Sequence, residues 1–112
     1  MKIMLRFLIG WGLAGAAFLA FAGATFPVPP ELWDRPRNGQ AMLEQPALKQ
    51  AVNAYLAQPG ANLLVHHAAG QEALLQAEEL RAWLIALAVE PGRVSLRNDL
   101  KSGAPLTIEI MK

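Results

Sequence analysis

The residue pattern predicts an α+β fold, in which two helices pack on one face of a small three- or four-stranded mixed sheet. Three observations carry that expectation. Residues 62–67 form an apolar run of strand length, entered through Pro59 and Gly60 and left through Ala69 and Gly70. The period then changes, with Ala73, Ala77, Leu80, Leu84, Leu87 and Ala88 recurring at three- and four-residue steps over residues 71–89. Last, two stretches near the end alternate with period two: Val94 and Leu96 against Ser95 and Arg97, then Leu106, Ile108 and Ile110 against Thr107 and Glu109.

The chain has 112 residues, which allows one small domain. Its first quarter reads as an export signal. Lys2 and Arg6 precede an uncharged run from Phe7 to Phe26 that ends in small residues, and two small-x-small sites follow, one before Gly23 and one before Thr25. The second is preferred, because Pro27, Pro29 and Pro30 would leave the new end extended. An uncleaved anchor is the competing reading, since the run approaches the roughly 20 residues a bilayer needs. Membrane association is expected only in that case. Residues 1–24 are thus a signal, residues 25–39 a Pro-rich connector, and residues 40–112 the folded domain, facing the periplasm.

Removing Lys2 and Arg6 leaves eight of the ten Lys and Arg against nine Asp and Glu, a net charge of −1. The remaining cations are dispersed and not interleaved with aromatics, so nucleic acid is not an expected partner. There is no cysteine, which excludes disulfides, thiolate metal sites and a Cys nucleophile.

In the connector, Leu32 and Trp33 are the bulky apolar residues, and they are expected to dock as an edge strand that Pro36 stops. A first helix is predicted over residues 40–58, with Pro46 near its first turn and a stripe of Leu48, Ala51, Val52, Tyr55 and Leu56. The strand at 62–67, the helix at 71–89 and the strand at 93–97 make a βαβ unit if the strands are parallel neighbours. Turn chemistry at Ser102 and Gly103 suggests that the last strand folds back on its predecessor as a hairpin.

From Leu43 to Ile110 this order resembles the carboxy-terminal, peptidoglycan-associating domain of the OmpA-like family, a βαβαββ arrangement. The pieces that carry the likeness are AYLAQPGANLLV (54–65), HHAA (66–69), LRAWLIAL (80–87), VEPGRVSLR (89–97) and PLTIEI (105–110). The family's strand leads into Gly-His-Thr-Asp, whose Asp holds the amine of diaminopimelate. Here that Asp falls at Ala69, and the Gly and Thr fall at His66 and Ala68. Arg81 matches the family's second anchor, which pairs with the ligand's carboxylate. The resemblance therefore implies an OmpA-like fold with a weak remnant ligand site at Arg81, His67 and Trp83. An acid such as Glu72 would have to stand in for the missing one.

His66 and His67 are adjacent on a strand and point to opposite faces, so they cannot chelate one metal ion. Glu72, Glu78, Glu79 and Glu90 read as the solvated face of the second helix, and Arg81 as a local partner of Glu78 or Glu79. The two serines, Ser95 and Ser102, sit in a strand and a turn, away from any Ser-His-Asp arrangement. No catalytic residue, metal or cofactor is expected. The expectation is a non-catalytic envelope component of a Gram-negative cell, a scaffold or accessory part of a pilus, secretion or outer-membrane assembly with a protein partner. Peptidoglycan binding through Arg81 is the alternative.

Overall fold

The computed structural model describes residues 23–112. The export signal read over residues 1–24 lies outside the described residues except for its last two. Those two take part in the sheet: the Gly23 amide donates to the Ile110 carbonyl, and the Ile110 amide donates to Ala24.

Four strands, β1 (Thr25–Pro27), β2 (Asn62–Ala68), β3 (Val94–Leu100) and β4 (Thr107–Met111), form one mixed sheet in the order β1-β4-β2-β3. Three helices, α1 (Gly39–Glu44), α2 (Pro46–Ala57) and α3 (Gln71–Ala86), complete the α+β fold. β2 and β3 are parallel, as the βαβ reading requires, and β4 runs antiparallel to both β1 and β2.

The edge strand is not at Leu32 and Trp33. Pro29 and Pro30 carry no N–H to donate, so pairing ends after the Val28 amide reaches the Leu106 carbonyl at 2.8 Å. Pro30–Asp34 then winds into a 3-10 turn that buries Leu32. Thr25–Pro27 pairs with β4 instead, so part of the Pro-rich connector belongs to the sheet. The single helix expected over residues 40–58 is interrupted at Gln45. Asn38 caps α1 by accepting from the Ala41 amide, and the Gln45 side chain caps α2, with Pro46 at its first position where no donor is needed.

The expected hairpin between the last two strands is absent: β4 passes β3 and inserts between β1 and β2. Burial explains the choice. β4 places Ile108 and Ile110 in the core with no exposed surface, and a strand with one fully buried side gains most from a central position. β3 carries Arg97, Asn98 and Asp99, all exposed, and such polar and charged residues suit an edge.

One core lies between the sheet and the helices. Leu63 and Val65 from β2, Ile108 and Ile110 from β4, Leu48 and Ala51 from α2, and Leu80 and Leu84 from α3 all belong to it. Alternation along the strands leaves Asn62, Leu64 and His66 on the opposite, open face, where Leu64 is nonetheless buried. At its end α3 turns through Ala88, whose φ of 102° is unusual for a residue with a Cβ, while the Val89 amide closes on Leu84.

Candidate functional site

The three residues of the expected remnant site are not brought together. Arg81 lies ten residues beyond the start of α3, about 15 Å along the axis. Its guanidinium donates to the carbonyls of Val94 (3.4 Å) and Pro91 (3.2 Å), at the entry to β3. That is the opposite end of the helix from Ala68 and Ala69, so Arg81 is neither a partner of Glu78 or Glu79 nor a wall of a site at the end of β2. His67 is buried on the helix side of the sheet, and its Nδ1–H donates to the Ala68 carbonyl at 2.9 Å. Trp83 directs its indole N–H to Glu79, at 3.0 Å.

What occupies the end of β2 is an open cleft of about 540 Å³. Gly70 makes it possible: its φ of 115° lets the chain turn from β2 into α3 without the strain a side chain would bring. The 3-10 turn contributes Trp33 and Asp34, the first turns of α3 contribute Glu72 and Gln76, and residues 103–106 close the far side. Ala69 stands where the resemblance calls for a carboxylate. Glu72 and Asp34 supply two others, and among the described residues no Lys, Arg or His lines the cleft.

Glu79, read from sequence as a solvated acid, is the anchor of the connector. Arg37 donates to it through both Nε and Nη2, the latter at 3.0 Å, and also to the carbonyls of Trp33 (3.1 Å) and Arg35 (3.0 Å). The Arg37 guanidinium lies 5.1 Å from the Trp33 ring centre, a cation–π arrangement. This cluster fixes the turn that forms one wall of the cleft. The hydrogen bond from Arg37 holds the Glu79 carboxyl below its ordinary pKa, against the opposing effect of partial burial, and Trp83 and the Arg37 charge add to the lowering.

On the open face, His66 joins three strands. Its Nδ1 lies 2.8 and 2.9 Å from the two carboxylate oxygens of Asp99 on β3, and its Nε2 lies 2.8 Å from Glu109 on β4. An irregularity in the β2–β3 register pairs His67 with Asn98 and Ala68 with Leu100, which leaves Asp99 without a residue opposite. Both ring nitrogens face acceptors, so the arrangement is satisfied only when both donate, as the imidazolium. Burial pulls the His66 pKa down, but the hydrogen bonds to Glu109 and Asp99, with their charges, outweigh it and leave it raised.

His66 was legible only as half of an unusable His pair, because its partners lie 33 and 43 residues away. Arg37 and Glu79, 42 residues apart, carried no signal that could have joined them. Among the described residues no group of three His, Cys, Asp or Glu side chains is placed to share a metal ion. No family model, no curated protein and no solved structure matches this chain.

Proposed function

We propose that this chain is a non-catalytic component of the bacterial cell envelope, exported to the periplasm, where a small OmpA-like α+β domain serves as a scaffold or accessory part of a larger assembly. One observation carries the choice of scaffold over ligand binder. Arg81, the cation that a peptidoglycan site would need, is directed to the carbonyls of Val94 and Pro91, at the opposite end of α3 from the cleft. The βαβαββ order of the elements is compatible with the resemblance, and the charged leader followed by an uncharged run supports export.

A cut before Gly23 fits the sheet better than the cut before Thr25 that composition favours, because it keeps the two hydrogen bonds between residues 23–24 and Ile110. Amino-terminal sequencing of exported protein tests this: Gly23 as first residue is expected, and Thr25 would overturn it.

The second reading, a peptidoglycan-binding module, keeps one favourable observation, the two carboxylates of Asp34 and Glu72 at the cleft. Two measurements separate the readings. Capture of the exported form from envelope extracts should recover a defined protein partner, and sedimentation with purified sacculi should leave it in the supernatant. Retention on sacculi together with loss on Glu72→Gln would favour the second reading.

A further inference from the structure

The two carboxylates that grip His66 bracket a single loop. Asp99 lies at the end of β3, two residues before the β3–β4 connection begins at residue 101, and Glu109 lies just inside β4 after it ends. Residues 103–106 of that connection are the far wall of the cleft. β3 and β4 are not neighbours in the sheet, so the loop must cross β2, and His66 on β2 pairs with Thr107, the first residue of β4 after the crossing. One imidazole thus ties both feet of the loop to the central strand.

We propose that His66 is a proton-operated clamp on the β3–β4 loop, which fixes the cleft wall when the ring is charged and loosens it when the ring is neutral. A neutral imidazole has one N–H and one lone pair, so loss of the proton turns one of the two contacts from an ion pair into a lone pair against a carboxylate. Among the described residues, the groups on the ring's face of the sheet are few. β3 brings Asp99 and, in register beside His66, Arg97; β4 brings Glu109 and Thr107; β1 brings the uncharged Thr25 and Pro27, and the loop brings Lys101 at its foot. The helices pack on the other face, as does His67, so they do not contribute to its titration. Because the ring nitrogens point apart to separate carboxylates, the cluster does not converge on one metal ion. The raised His66 pKa agrees with a ring that stays charged until the medium turns alkaline to its ordinary value. The clamp goes beyond the scaffold reading and is independent of what the cleft holds.

The test is a titration of the labelled full chain by nuclear magnetic resonance, from about pH 5 to about pH 9, the span in which histidine changes charge. The His66 ring carbon and the backbone amides of Gly103 and Ala104 are followed together, with Gly60, at the far end of β2, as reference. A shared midpoint above the ordinary value of about 6.5 is expected for the ring and both loop amides, with no step at Gly60. In Asp99→Asn and in Glu109→Gln the common midpoint should fall, and in His66→Gln the loop step should vanish. If His66→Gln does not fold, the two carboxylate variants decide alone. A loop that does not titrate, a loop step that persists without His66, or a ring midpoint at or below the ordinary value overturns the proposal.

Discussion

The two faces of the sheet are each held by an ionic cluster, and the clusters answer pH in opposite senses. On the helix side, Arg37 grips Glu79, and the partner that can change charge is the acid. On the open side, Asp99 and Glu109 grip His66, and the partner whose pKa is shifted is the base. The Glu79 pKa is depressed, so its contribution is present above the ordinary carboxyl value and is lost as pH falls through the folded-state value. The His66 pKa is raised, so its contribution is complete below the ordinary histidine value and is lost as pH rises through the folded-state value. The helix-side cluster therefore loses its contribution in acid and the open-side cluster loses its contribution in alkali, because the titrating group differs.

The most severe way to break the comparison is to remove what the two faces share. Leu80 has no exposed surface and sits on α3 against the strands that carry His66. Leu80→Ala should cost about 2–5 kcal/mol and, in urea unfolding, lower the fluorescence and circular dichroism transitions together. Separate transitions would mean that the faces are not one cooperative unit.

Next in size is Glu79→Gln. The glutamate accepts two bonds from Arg37 and one from Trp83, but its side chain is 35% exposed, so solvent screening holds the loss to about 1 kcal/mol. The loss should be largest near neutrality and shrink in acid as pH falls below the ordinary carboxyl range and through the folded-state value, where the wild-type carboxylate is itself being protonated. Unfolding midpoints of the two proteins against pH measure it, and a gap that does not narrow in acid assigns the effect elsewhere.

His66→Gln should cost somewhat less, about 0.5–1 kcal/mol, below the ordinary histidine value of about 6.5. The gap should close as pH rises through the folded-state value. Combining the two variants should flatten both wings of the stability profile additively, since they stand on opposite faces and share no partner.

The two clusters also mark where sequence stops informing. Period and breakers placed β2, α3 and the core residues Leu80 and Leu84, because those signals are local. Local alternation likewise identified β4 as a strand but not its neighbours: Ser102 and Gly103 offer turn chemistry for a hairpin, while the burial of Ile108 and Ile110 requires a central place. At Leu32 and Trp33 the apolar content was informative and the backbone expectation failed, because consecutive prolines remove the donors an edge strand uses. The site residues failed for a geometric reason. Arg81, His67 and Trp83 are close in sequence to the end of β2 or to one another, yet α3 carries Arg81 away from Ala69 and the strand turns His67 beneath the helices. Ion pairs between residues more than 30 apart depend on sheet order, which composition does not encode.

Arg81→Ala should have the smallest effect, a few tenths of a kcal/mol, as its bonds to the Val94 and Pro91 carbonyls are long and partly solvated. It still sharpens the comparison, because Arg81 stands two residues from Glu79 and belongs to neither cluster. In a double-mutant cycle, Arg81→Ala and Glu79→Gln should add within about 0.3–0.5 kcal/mol, whereas Arg37→Ala and Glu79→Gln should show a coupling of about 0.5 kcal/mol or more. Coupling of Glu79 to Arg81 in place of Arg37 would restore the local pairing expected from their closeness in sequence, and would detach the connector turn from α3. The cycle thus decides which cation holds the wall of the cleft. A residue 42 positions away is expected to outweigh one two positions away, because side chains two apart on a helix point in different directions.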